Sequence, residues 1–268
     1  MNTRRFPSLG SIYFLAIIVL LYLPIALLII FSFNNATAMV FPFKGFTLQW
    51  YGKLFQNREL LKAVGNSLMV GLCSSLIATT LGTMGAIAIV RYNLPGRTVF
   101  LAVAALPLVI PYVILGVSLL ILFNEFGIPL SAFAAGLAHV IISIPYAMLI
   151  VAARLVGFPN NLEEAAMDLG ATYWGALLRV TIPICSPALL AAFLLCFTMS
   201  FDEFAIASFL VGVDATLPVY LYSQLRFPTR LPTVVALAAI LMTVTISVML
   251  FNEWLRRAGQ NPAKRVGK

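Results

Sequence analysis

Two adjacent carboxylates, Asp202 and Glu203, close the apolar stretch Ile182 to Phe201 and precede a second one, Phe204 to Val213. Acids set into so apolar a region need a cation beside them. Arg226 or Arg230 would provide it as a structural ion pair, and a cationic amine would provide it along a solute path. Three further acids, Glu163, Glu164 and Asp168, gather in one polar interruption of the chain. The remaining reactive residue types form no constellation. The lone His139 has no Asp, Glu or Cys near it in sequence and reads as a hydrogen-bonded packing histidine rather than a zinc ligand. Cys73, Cys185 and Cys196 lie in or at the edge of apolar runs without CxxC spacing and read as small core residues. No Ser-His-Asp set, Gly-rich phosphate loop or HExxH is present, so the chain is read as no enzyme, holding neither metal nor cofactor itself.

Composition decides what positions these groups. The 268 residues are 62% hydrophobic and 10% charged, where a soluble domain carries roughly 25% charged residues. So few charges cannot coat a body of this size in water, and lipid is its solvent. A crossing needs about 20 apolar helical residues. Six runs free of Asp, Glu, Lys and Arg meet that need: Ser11 to Phe33, Ala63 to Val90, Thr98 to Phe123, Ser131 to Ala153, Ile182 to Phe201 and Leu231 to Phe251. The expected fold class is all-α, an integral membrane protein of six transmembrane helices. Arg4 and Arg5 before the first run, with Ala36-Thr37-Ala38 after it, imitate a cleavable signal. A signal core is only about 7 to 15 residues long, so the run is read as a retained span.

Six spans place both ends on one side. Arg4, Arg5, Arg91, Arg97, Arg154, Arg179, Arg256, Arg257, Lys264, Arg265 and Lys268 share that side; Lys44, Lys53, Arg58, Lys62, Arg226 and Arg230 lie on the other. The excess marks the cytoplasm, so both termini are expected inside. The net charge of +8 is then a topology signal and does not point to nucleic acid. Residues 1–62 are read as an N-terminal tail, first helix and outer loop. Residues 63–255 are read as a five-helix transmembrane domain with the loop 160–183, and residues 256–268 as a basic cytoplasmic tail.

That inside loop is built as an amphipathic helix. Asn160 and Asn161 can cap free amides, and Glu163 and Glu164 follow at capping-box spacing. Leu162, Ala165, Ala166, Leu169, Tyr173, Ala176 or Leu177, and Val180 form one apolar face. Gly170 divides the run into two short helices, and Pro183 opens the next span. The small pair Ala165-Ala166 and Gly170 leave room for another backbone. Three acids would be repelled by an anionic leaflet, so a protein with a basic rim fits this helix better than lipid headgroups.

Glu164-Ala165-Ala166, then Gly170, then Val180-Thr181-Ile182-Pro183 resemble the EAA loop of binding-protein-dependent ABC importer permeases, whose pattern is EAA, three residues, G, nine residues, I-x-L-P. The likeness extends to the polyamine-type (spermidine/putrescine) subfamily through Gly45 to Tyr51, Leu162 to Thr172 and Ser200 to Phe209. It implies a permease subunit in a bacterial plasma (inner) membrane, forming half of the path for a small amine-bearing solute. The implied partners are a second homologous permease, a cytoplasmic ATPase dimer that carries ATP and Mg, and an external substrate-binding protein. Glu163, Glu164, Ala165, Ala166, Asp168, Gly170 and Pro183 would then couple to the ATPase.

For the solute path the candidates are Asp202, Glu203, Tyr112 and Trp50. Polyamine-type permeases carry an acidic pair at Asp202-Glu203, and an indole such as that of Trp50 can face a cation. Phe46, Trp50 and Leu54 are also spaced as in an interfacial helix. The chain has Pro111-Tyr112 where close spermidine and putrescine permeases have Pro-Asp. Loss of that carboxylate removes a charge-assisted hydrogen bond of roughly 1.5 to 3 kcal/mol. An opine or aminophosphonate, bearing amine and acid together, is the alternative solute. A secondary transporter or channel, or a membrane scaffold, is the alternative outside the ABC class. Pro107, Pro111, Pro145 and Pro187 are expected to free carbonyls or bend spans three to five.

Overall fold

Pro111 decides the course of the third apolar run. A proline disfavours the helical conformation of the residue before it, and Ile110 is accordingly extended, with ψ 128°. In the computed structural model, which describes residues 9–36, 42–92, 96–157 and 161–260, the run is two helices, α4 (Arg97–Val109) and α5 (Tyr112–Glu125), bent by 107° at this break. The expected straight span from Thr98 to Phe123 is corrected to a broken pair. Pro107, Pro145 and Pro187 instead stay inside their helices.

The other runs form helices near their expected limits. These are α1 (Leu9–Phe31), α3 (Arg58–Arg91), α6 (Ala132–Val156), α9 (Ile182–Asp202) and α12 (Leu231–Gln260), with the short α2 (Gln49–Gln56), α7 (Asn161–Asp168), α8 (Tyr173–Ala176), α10 (Ala207–Leu210) and α11 (Leu217–Gln224). Among the described residues five helices are long and apolar enough to cross a bilayer, or six crossings if the bent pair counts as one. The only strand-like feature among them is an isolated bridge between Asn34 and Phe46. Arg4, Arg5, Thr37, Ala38, Asn160 and the tail Lys264, Arg265 and Lys268 lie outside the described residues, so the expectations placed on them stand apart from this structure.

The chain forms two compact units, Glu59–Tyr220 in one, Met1–Arg58 with Leu221–Lys268 in the other. In the first, α6 is the hub. Its small buried residues Ala134, Ala135, Ala138 and Ala147 let α3, α5, α9 and α10 come close, which is how helices associate where no hydrophobic force drives them. Cys185 and Cys196 are buried in this core, as expected, but Cys73 is exposed beside Met69, Ile77 and Phe133 in a shallow apolar groove. It lies on an outer face of α3, where an apolar thiol needs no cover if lipid is the solvent. The tightest approach is at Gly82, where a Cβ would stand 2.7 Å from Ala147 Cβ and 2.8 Å from the Met148 nitrogen. Gly82→Val is expected to destabilise the unit by about 1 to 3 kcal/mol or more, read as a lower Tm of the detergent-solubilised permease.

In the second unit α2 packs on α12. Trp50 and Leu54 supply the buried face of α2, while Phe46 lies before the helix and is exposed. Ser32 and the Tyr51 hydroxyl share a 2.6 Å hydrogen bond, and the Thr47 amide donates to the Phe33 carbonyl at 2.8 Å. These bonds hold the segment after α1 against α2.

Candidate functional site

The polar interruption folds as two helices around a glycine turn. α7 carries Glu163 and Glu164 in its first turn, where the helix dipole favours acids. Gly170 has φ +90°, a left-handed conformation that ends α7 and that a side chain disfavours. Thr172 then caps α8, accepting from the Gly175 amide at 3.1 Å. Leu177–Thr181 form a π turn that continues into α9. Pro183 stands in the first turn of α9, as the sequence suggested, but the residues before it are already helical, and the widened turn accommodates its missing amide and its ring.

The expected apolar face divides at Gly170. From Tyr173 onward it is covered, with Ala176 and Leu177 buried. On α7 and its end it is open: Ala165 is exposed, and so are Leu162, Met167 and Leu169, the last at 90%. Glu164 and Asp168 are exposed beside them. Glu163 is not. It accepts a hydrogen bond from the Thr181 hydroxyl and lies 3.5 Å from Arg91 at the end of α3. Beside this clamp the Tyr92 and Tyr173 rings meet edge to face at 6.2 Å. No local signal announced it, because Arg91 is distant in sequence and reads there only as a loop charge.

The acidic pair after α9 also separates. Glu203 ends the helix with ψ 121° and turns inward to 6% exposure. Its two oxygens accept from the Ile206 and Ala207 amides, each at 2.8 Å, so it caps the entry to α10. His139, fully buried, stands with Nε2 3.4 Å from Glu203 Oε2 and Nδ1 2.6 Å from Ser200 Oγ, which in turn shares a 3.0 Å hydrogen bond with Ser74. If Ser200 donates to Nδ1, the ring proton lies on Nε2, which stands 3.4 Å from the carboxylate without completing a hydrogen bond to it. His139 is thus the hydrogen-bonded packing histidine expected, with an acid beside it in space. No group of three metal-type ligands occurs among the described residues. Glu203 is held by the two amides with His139 beside it, and Arg230 donates to Gln224 at 2.6 Å.

Asp202, one residue earlier, is exposed, and its carboxylate has no ion pair or hydrogen bond among the described residues. Behind it on α9, Phe193, Phe197 and Phe201 form a row of rings with centroids 6.5 and 5.8 Å apart. An exposed carboxylate suits an ammonium group. Tyr112 is the first residue of α5, at the break, and is half-buried with Tyr146 and Glu203 nearby. Trp50 belongs to the other unit. Its indole is 5% exposed, donates to the Asn34 carbonyl at 2.9 Å and has Lys53 over its ring at 4.6 Å, so its cation face is taken by its own helix.

Residues 78–258 match the family described as "Binding-protein-dependent transport system inner membrane component". The chain is 33% identical over 243 residues to the "Spermidine/putrescine transport system permease protein PotC" of Escherichia coli (strain K12), covering 90% of this chain and 91% of that protein. It is 36% identical over 242 residues to the "Putrescine transport system permease protein PotI" of the same organism, covering 87% and 85%. Among solved structures, one chain from the "Crystal structure of a bacterial ABC transporter involved in the import of the acidic polysaccharide alginate" superposes with a TM-score of 0.71 at 18% identity, covering 92% of this chain and 94% of that one. At that identity the likeness is one of fold.

Proposed function

The chain belongs to the inner membrane components of binding-protein-dependent transport systems, and from that premise we propose that it carries polyamines, spermidine or putrescine, as one permease of a two-permease importer. As a member it is the membrane permease of an ABC importer, is not an enzyme, and works with an ATPase and a substrate-binding protein. The polyamine assignment rests chiefly on its identity to the two permeases over nearly its whole length. The exposed carboxylate of Asp202 supports it, because a polyamine presents ammonium groups to such a charge.

Orientation and assembly follow in the same reading. Both termini and α7 face the cytoplasm, by the excess of Arg and Lys on that side. A second, homologous permease completes the path, and two ATPase subunits hold the ATP and Mg. α7 offers the ATPase an apolar patch of Leu162, Met167 and Leu169, flanked by Glu164 and Asp168, and a cleft with a basic rim would take it. ATP-driven closure then displaces α7 and, through it, the spans.

The test is reconstitution of the whole transporter in proteoliposomes with its own binding protein. Labelled spermidine or putrescine is expected to accumulate only with internal or external ATP on the ATPase side. Accumulation of an opine or aminophosphonate in their place would overturn the polyamine assignment and return attention to Tyr112. Uptake driven by membrane potential without ATP would contradict the importer itself.

A further inference from the structure

Of the three acids on α7, only Glu163 turns inward, and it does so onto an element that the ATPase-docking reading does not use. Arg91 is the last residue of α3, and Thr181 is the last of the π turn leading to α9. One carboxylate therefore ties α7 to two different spans. The Arg91 and Glu163 side chains are 9% and 12% exposed, and Thr181 is buried. This is the low-exposure setting in which removing one partner of a charge pair is costly, unlike a solvated surface pair.

The two ties differ in stiffness. Toward α9 the path runs through α8, the π turn, Pro183 and Pro187, and π turns and prolines are where helices bend. α3 is one helix of 34 residues without a proline, about 51 Å long at 1.5 Å per residue. Its far end grips a single segment after α10. Lys62 Nζ lies 3.0 Å from Asp214, Asn66 donates to the Ala215 carbonyl at 3.1 Å, and Ser67 Oγ accepts from the Leu217 amide at 2.8 Å.

We propose that Glu163 and Arg91 form a joint through which displacement of α7 is passed along α3, as a rigid rod, to the segment 214–217 at its other end. Both are positioning residues and touch neither solute nor nucleotide. This rests on α7 being the helix that docks on the ATPase. The segment 214–217 follows the break at Glu203, so the rod links nucleotide-driven motion to the end of the protein where Asp202 is exposed, without relying on the more pliable route into α9.

Spatial intermediacy alone does not demonstrate coupling, and a charge-reversal cycle does. Arg91→Glu, Glu163→Arg and the double reversal are each assembled with ATPase and binding protein in proteoliposomes, and solute imported per ATP hydrolysed is measured. Each single reversal is expected to keep ATP hydrolysis while import per ATP falls at least about fivefold; the double reversal is expected to recover most of it. Where a reversal does not assemble, Arg91→Gln and Glu163→Gln give the readout, with the same fall expected. Parental import per ATP in the assembled single variants, or no recovery in an assembled double reversal, overturns the joint. Failure of the underlying reading is separately visible: Met167→Cys is expected to crosslink to the ATPase in the parent background. Absence of that crosslink removes the docking assignment, whereas its presence beside unchanged coupling removes the joint alone.

Discussion

Gly170→Asp is expected to abolish ATP-driven import while the permease still folds and inserts. A Cβ at Gly170 would meet nothing within 4 Å, so the chain itself has space for a side chain. The internal cost is confined to backbone strain at φ +90°, roughly 1 to 2 kcal/mol and less for Asp or Asn, which tolerate the left-handed region better than other residues. Any effect beyond that must arise where another protein approaches the turn. Leu169, almost wholly exposed next to it, indicates where that approach is made. Gly170→Asn separates the causes: it has nearly the shape of Asp and its tolerance of left-handed backbone but no charge. Loss of import in both variants signals a close backbone approach; loss only in Asp signals repulsion added to Glu164 and Asp168. Import and binding-protein-stimulated ATP hydrolysis in proteoliposomes are the measurements, and parental values for Gly170→Asp would remove the turn from the docking surface.

The α7 turn was legible because its signals are local. Acids in a first turn and a glycine at the end each act within a few residues, and each leaves a mark on the sequence around it. Pro111 was legible in kind but not in degree: a proline warns of a break, yet the 107° bend is set by the packing of α5 on α6 and α10. What escaped are the pairings across the fold. Glu163 with Arg91, Glu203 with His139, and Asp214 with Lys62 join residues far apart in the chain, and a charge at the end of an apolar run carries no mark of which other run lies beside it. α9 is apolar on nearly every side, so its periodicity could not reveal that Asp202 faces out and Glu203 faces in. Trp50 misled for a related reason: an indole in a short amphipathic helix looks the same whether its face is open or already covered by the lysine three residues on.

Asp202→Asn is expected to lower polyamine import by about tenfold to a hundredfold with little change in the amount or Tm of folded permease. A charge-assisted hydrogen bond is worth about 1.5 to 3 kcal/mol, and each 1.36 kcal/mol is a factor of ten in rate. The carboxylate is exposed and holds no other group among the described residues, so its replacement by an amide takes nothing from the fold. Glu203→Gln is expected to behave in the opposite way. One of its two oxygens becomes an NH2 facing an amide donor or the His139 ring, in a buried setting. Breaking a buried charged network of this kind costs about 3 to 5 kcal/mol, and the loss is expected in folded protein before it is seen in import per folded molecule. Adjacent acids thus answer the same chemical change by different measurements, uptake per molecule for Asp202 and thermal stability for Glu203. Parental uptake of spermidine and putrescine by Asp202→Asn, together with a fully stable Glu203→Gln that no longer imports, would reverse the two roles and move the cation site to the buried side of the break.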